Sequence, residues 1–274
     1  MEMDFTRDIY QKLIASLKIA GYSFQTFSEF ISNKRKKTVV LRHDVDKLPR
    51  HSIVFARLQA QMGIRGSYYF RAVPESWNEK VIKEIAAMGH EVGYHYENLT
   101  TVAQRFDMKL KNGGLDQLLA AGIADFETNL QRLRKLVSVQ TICMHGSPLS
   151  RFDSKDLWKK YNYNDFGIIG EPYFDIDFEE VFYLTDTGRR WDGYRVSVRD
   201  KVPQFQENWE RQGLVYRSTY DIIQALETRR LPDKIMMTFH PQRWHGSFYS
   251  WFQELCWQNL KNQYKRFLIN KRGC

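Results

Sequence analysis

Cysteine is scarce: Cys143, Cys256 and Cys274 are the three in 274 residues, and they form neither an even disulfide framework nor a metal-site spacing. No stretch approaches the roughly eighteen apolar residues of a membrane-crossing helix, so no membrane span is expected. The opening MEMDFTRDIYQ carries acids where a secretory signal would carry an apolar core. A reducing, cytoplasmic location is the expectation from these absences. Repeats, linkers and low-complexity segments are missing as well, so 1–274 reads as one domain. Within it, 1–37 reads as a helical lead-in, 38–241 as the core and 242–274 as a C-terminal helix. There is no G-x-S-x-G elbow, which argues against serine nucleophile chemistry.

What is present is basic and aromatic. Lys and Arg number 41 against 32 Asp and Glu, a formal net charge of +9. The basic residues are scattered, apart from the run Lys34 to Lys37 and a tail with Lys265, Arg266, Lys271 and Arg272. Net charge without local clustering marks solvated faces rather than a nucleic-acid groove, so no nucleic-acid partner is expected. Phe, Tyr and Trp make up 15% of the chain, a density that serves a core or a cleft that stacks flat ligands.

Hydrophobic periodicity predicts an opening helix over 5–20, then strands at 38–45, 65–71, 91–96 and 140–145 separated by helices at 50–62, 77–88 and 115–136. Short strands follow at 166–170 and 181–186, then a helix at 218–228, a strand at 234–239 and a last helix over 248–268. The aromatic and leucine stripe of that last helix (Phe248, Trp251, Phe252, Leu255, Trp257, Leu260, Tyr264, Phe267) is expected to pack into the core. Alternating strands and helices imply an α/β fold with parallel strands.

In such folds the reactive groups gather at the C-terminal ends of strands. The strand ends carry Arg42, Asp44 and Asp46; Arg71; His95, Tyr96 and Glu97; His145; Asp186; and His240. Asp44 and Asp46 lie two apart, so on an extended backbone they share a facing. Two carboxylates aimed together repel unless a cation lies between them or one keeps a proton. A hydrolytic metal site uses such a pair, one carboxylate holding the ion and the other taking a proton from water. Gly93 leaves room beside the strand that bears His95. Tyr94, Tyr96 and Trp191 are candidate stacking surfaces, although each also reads as core.

The strings LRHDVD (41–46), GHEVGYHYENL (89–99) and MMTFHP (236–241) resemble the polysaccharide deacetylase superfamily, the family-4 carbohydrate esterases and their relatives. The resemblance runs in order from 38 to about 241 and marks a divergent branch. It implies a distorted (β/α)7 barrel, a divalent metal that is usually zinc, and hydrolysis of an acetyl group, most often N-acetyl, from a sugar. By the same resemblance Asp44 matches the catalytic base, Asp46 the metal-binding Asp and His95 the first metal His. His240 matches the late His that acts as general acid, and is expected across the barrel from Asp44.

Four departures stand out. Leu99 occupies the position of the second metal His, and Val45 splits the Asp pair. HGSP (145–148) stands where the family has an Arg-x-Pro-Tyr string, and no Asp-Trp motif is evident, Asp186 being the nearest acidic strand end. Arg42 or Arg71 then takes the role of orienting Asp44. A catalytic zinc wants three protein ligands, and Glu97, Asn98 and His145 are the candidates for the third, with His145 favoured because it ends the neighbouring strand. The expected activity is metal-dependent deacetylation of a sugar or polysaccharide precursor. Hydrolysis of a non-sugar amide, or an inactive barrel that binds a glycan or a protein, are the alternatives.

Overall fold

The chain opens with helix α1 (Arg7–Ile19), started by the Thr6 hydroxyl, which accepts from the Ile9 amide, and buried through Ile9, Tyr10, Leu13, Ile14 and Leu17. In this computed structural model residues 3–105, 114–146, 150–195, 197 and 202–272 are described. Strand β1 (Ser23–Gln25) and helix α2 (Phe27–Ser32) follow, the helix closed at its start by a capping box between Thr26 and Glu29. Then come β2 (Thr38–Val45), α3 (Arg50–Gln61), β3 (Ser67–Phe70), α4 (Glu79–Ala87), β4 (Glu91–Tyr96), α5 (Asn98–Arg105), α6 (Gly114–Arg134) and β5 (Ile142–Met144). Helix α7 (Pro172–Asp175), β6 (Phe182–Thr185), α8 (Pro203–Arg211), α9 (Thr219–Glu227), β7 (Lys234–Phe239) and α10 (Phe248–Arg272) complete the order.

The seven strands form one parallel sheet in the order β5-β4-β3-β2-β7-β6, with β1 paired to β2. β1 and β3 share one edge of β2, the first along Thr38–Val40 and the second along Arg42–Val45. The sheet curls with helices on its outside, a distorted (β/α) barrel, and no strand pairing joins β5 to β6 among the described residues. All eight residues of β2 are buried, because the strand is central and covered on both faces. The pleat separates two environments along it. Arg42 and Asp44 turn into the curl, while His43 turns to the helix layer, stacked on Tyr68 at 4.1 Å and within hydrogen-bond reach of Gln59 and Tyr10. Burial holds the His43 pKa down to about 3, so it is a neutral core residue.

The N-terminal mouth of the barrel is stoppered by α2. The Phe27 amide donates to Ser67 Oγ at 2.8 Å and the Ser28 amide to Glu91 Oε2 at 3.2 Å, while Ser67 and Thr141 hydroxyls also donate to Glu91. The polar rim at the other end is thereby left as the open one.

Two expectations are corrected. Residues 166–170 form no strand: they follow a short 3-10 turn (Tyr163–Phe166), and only Gly170 bridges to Thr141. Trp251 apart, the described part of the stripe on α10 stays largely out of the core. Phe248, Phe252, Trp257 and Leu260 are between 52% and 65% exposed, whereas Trp251, Gln258 and Asn262 face the protein. Those buried polar groups are satisfied: Asn262 donates to the Gly188 carbonyl at 2.9 Å and Gln258 to Asn262 at 2.8 Å. Three- and four-residue steps say which residues share a helix face, not which face the protein covers. The side chains of Tyr264 and Phe267, and the basic tail from Lys265, lie outside the described side chains. No described helix is long and apolar enough to cross a membrane.

Candidate metal centre at the strand ends

β2 ends at Val45, and the Asp46 amide folds back onto the Asp44 carbonyl at 3.1 Å. This tight turn lifts Asp46 to the rim and leaves Asp44 one level deeper, so the two carboxylates have different partners. Asp44 is gripped bidentately by Arg42, with Nε to Oδ1 at 2.9 Å and Nη2 to Oδ2 at 2.6 Å, both residues almost wholly buried. Asp46 receives Gln242 Nε2 on Oδ2 at 3.1 Å, but its buried Oδ1 has no hydrogen-bond partner.

Three imidazoles converge on that carboxylate. The Nε2 atoms of His95 and His145 lie 3.5 and 3.6 Å from Asp46 Oδ1, and His240 Nε2 lies 3.8 Å from Oδ2. Each ring is held by its other nitrogen. His95 Nδ1 meets the Cys143 carbonyl at 2.9 Å, His145 Nδ1 meets Glu97 Oε2 at 2.8 Å, and His240 Nδ1 meets Asp186 Oδ1 at 2.6 Å. A carbonyl or carboxylate there demands Nδ1–H, which leaves the neutral rings' lone pairs on Nε2, aimed at Asp46. Lone pairs around an orphaned carboxylate oxygen repel one another without a cation between them. The cluster draws positive charge, whether as a proton on His95 or as a cation. Burial works against every charge in it, yet His145, His95 and His240 hold Asp46 well below the usual carboxylate range, and Asp44 and Asp46 raise His95 above its ordinary value. Asp44 is likewise lowered despite burial, by Arg42 and His95.

The donors thus fit a divalent cation. Asp44, His95 and Cys143 offer one ligand atom each within 4.8 Å of one another, the most compact set among the described residues. The satisfied atoms argue otherwise: both Asp44 oxygens are occupied by Arg42, and the Cys143 thiol already contacts a backbone carbonyl at 3.8 Å. Asp46, His95 and His145 carry the unsatisfied atoms, so they fit the ion better.

The remaining predicted residues fall into supporting places. Glu97 bridges His145 to Arg71, whose Nε donates to it at 2.7 Å, and Arg71 also donates to the Asp46 carbonyl at 3.0 Å. Burial notwithstanding, His145 and Arg71 keep the Glu97 carboxyl lowered and charged. Of the two arginines weighed for Asp44, Arg42 is the one that holds it. Asp186, fully buried, accepts from the His240 amide at 2.9 Å, Trp244 Nε1 at 2.6 Å and Arg243 at 3.0 Å. His240 does not lie across the barrel from Asp44, because β7 pairs directly with β2, His43 opposite Phe239.

Four candidates stand apart from the rim. Asn98 is tied to Asp125 at 2.7 Å and to the Tyr94 hydroxyl. Tyr94 and Tyr96 point outward onto Phe126 of α6, and Trp191 is buried against Phe239 and Trp244, so none is a stacking surface. The cause is the pleat: His95 faces in, so its neighbours face out. Leu99, in the first turn of α5, packs on Gly122 and Leu157 in a small separate core. The room at Gly93 is filled from beside it, where an added Cβ would meet the Tyr69 ring at 2.3 Å. Gln242, Arg243 and Trp244 escaped the sequence reading, although PQRW directly after the His240 strand end was visible.

No protein-family model matches the chain, and no curated protein matches it. Among solved structures it is similar to CE4 family carbohydrate esterases, pseudoenzymes among them. These include a CE4 family pseudoenzyme from Bacillus anthracis, at 14% identity over 85% of this chain and 63% of that one, TM-score 0.39. A family 4 carbohydrate esterase from Bacillus anthracis matches at 9% identity over 93% and 86%, TM-score 0.39. A CE4 esterase from Streptococcus mutans matches at 12% over 90% of each chain, TM-score 0.41. The chain spans 65% of the length of the first of the pseudoenzyme structures, a little less than two thirds.

Proposed function

We propose that this chain is a metal-dependent hydrolase that removes an acetyl group, most readily N-acetyl, from a sugar or polysaccharide precursor. The observation that carries the reading is the unpartnered Asp46 Oδ1 faced by the Nε2 atoms of His95 and His145. Asp46, His95 and His145 would hold a divalent ion, with zinc suited to a carboxylate and two imidazoles. When bound, such an ion polarises an acyl carbonyl and lowers the pKa of a water toward about 7.

The protein's own groups supply the proton transfers. Asp44, fixed and kept ionised by Arg42, accepts the proton of the attacking water. His240 donates from Nε2 to the departing amine nitrogen as the carbon–nitrogen bond breaks, and Asp186 on Nδ1 stabilises the imidazolium that this requires. The products are acetate and the free amine. The choice of a sugar as substrate rests on the resemblance of LRHDVD, GHEVGYHYENL and MMTFHP to the deacetylase motifs.

The test is metal content by mass spectrometry of the purified chain, followed by a screen of N-acetylated sugars and non-sugar acetamides for acetate release. Stoichiometric metal that Asp46→Ala loses, with acetate released from sugars, supports the reading. A metal-free protein that stays inactive with added zinc overturns it.

A further inference from the structure

The outer face of α10 is apolar and uncovered among the described residues. Eleven large hydrophobic side chains stand exposed there, and five of them lie on this helix between 248 and 260. They are Phe248, Tyr249, Phe252, Trp257 and Leu260, at 52% to 77% exposure. All but Phe248 border one shallow hollow of about 280 Å³, together with the exposed Cys256. Single exposed apolar residues are ordinary, whereas a contiguous patch marks a surface that binds something.

The helix is held by its opposite half, so the patch is not the result of a detached segment. Trp251 is buried there and its carbonyl accepts from Arg189 at 2.8 Å, while Asn262 donates to the Gly188 carbonyl at 2.9 Å. At 1.5 Å per residue the apolar row from Phe248 to Leu260 is about 18 Å long. Leu48, 49% exposed, lines one hollow with Trp257 and carries the apolar surface onto the loop after β2.

Charge selects the occupant. The helix carries Lys261, Lys265, Arg266, Lys271 and Arg272 against a single acid, Glu254. Lys261 stands exposed, and Lys47 and Arg243 bear on it electrostatically. A second copy of this chain, itself at +9, would bring like charges onto the same face. An anionic partner fits instead. A folded protein would also have to match the shape of a convex aromatic helix, which a fluid headgroup layer need not do. Aromatic and leucine side chains on one face, cations along the same helix, and too little apolar length to cross a bilayer are the features of an interfacial helix. We propose that α10 docks this protein on an anionic membrane surface, with Phe252, Trp257 and Leu260 entering the headgroup layer and the cations of its second half drawn to acidic lipids. The docking surface goes beyond the deacetylase reading and does not depend on it.

Flotation of the full chain across a lipid titration tests it, with vesicles of phosphatidylcholine alone or mixed with phosphatidylglycerol. The mixed vesicles should bind the chain about tenfold more tightly or better, as expected for cations near an acidic surface. Phe252→Ser and Trp257→Ser should each weaken that binding about tenfold, the scale of one large apolar side chain withdrawn, with circular dichroism and thermal unfolding unchanged. Lys265→Gln combined with Arg266→Gln should weaken it by about tenfold or more. Brominated lipid should quench tryptophan emission in the wild type, and less in Trp257→Phe, which still binds. Binding that salt removes but both serine variants retain in full would be simple adsorption of a basic chain, and overturns the proposal. Absence of binding overturns it too, as does a dimer, seen by light scattering, that Trp257→Ser dissociates.

Discussion

His145 Nδ1 donates to Glu97 Oε2 at 2.8 Å while its Nε2 stands 3.6 Å from Asp46 Oδ1. One carboxylate thus fixes the ring that faces the other, and Arg71 fixes that first carboxylate in turn. The ring stands just past the end of β5, not at the α5 position of Leu99.

That relationship makes Glu97 a positioning residue. Glu97→Gln should weaken metal affinity about 10- to 100-fold, the usual cost of losing an outer partner of a ligating histidine. His145→Ala should weaken it further, as loss of a ligand. Competition against a zinc chelator measures both. Undiminished binding in His145→Ala would leave the Asp44, His95 and Cys143 set as the better account.

The two aspartates should separate cleanly. Asp46→Ala is expected to abolish both metal binding and turnover. Asp44→Asn should keep the metal while turnover falls by about 10²-fold or more, the scale of a lost general base. The inverse pattern, metal lost with Asp44 and kept with Asp46, would exchange their roles.

His240→Ala should leave the fold and the metal in place, since its nearest approach to Asp46 is 3.8 Å. Release of a sugar amine, which needs a proton, should suffer severely. An activated aryl acetate, whose leaving group needs none, should be hydrolysed nearly as before. Equal loss on both substrates would assign His240 to structure or metal binding.

Glu171 gives a stability signature independent of the metal. It is fully buried, accepting from the Met144 amide at 3.0 Å and the Tyr173 amide at 2.6 Å, and burial raises its pKa from 4.5 to about 7. The folded chain therefore holds a proton there that the unfolded chain has released. This contribution is fully present below pH 4.5 and is lost as pH rises through about 7, a change of roughly 3 kcal/mol. Urea unfolding of wild type and Glu171→Gln between pH 4.5 and 8 reads it out. The difference between them should shift with pH in favour of the glutamine variant as pH rises, and a constant difference would disprove the shift.

Much of the fold was legible. From β2 to β4 the strands and helices lie within a few residues of the predicted spans, because buried parallel strands are β-branched or aromatic runs and their helices end at Gly63 and Gly89. Helix α5 was not legible, since it starts directly at the end of β4 with no intervening turn signal and packs on α6 rather than on the sheet. The short β1 was missed too: three residues carry no period, and only pairing with β2 makes them a strand.

For the site, the sequence by itself determined which chemical groups stand at the strand ends and, through the two-residue pleat, that Tyr94 and Tyr96 face opposite to His95, while which side is inward was left to the fold. Tertiary structure decided the partners. Only the β2–β7 pairing puts His240 beside Asp46, and only the β4–β5 pairing brings His145 beside His95, both within 3.6 Å of Asp46 Oδ1. Only the turn at Asp46 leaves one aspartate to Arg42 and the other unpaired. The physical reason is range: side-chain facing is set by backbone geometry within a few residues, whereas the site is assembled from strand ends nearly two hundred residues apart, such as Asp46 and His240 at 3.8 Å, whose neighbourhood no local pattern encodes.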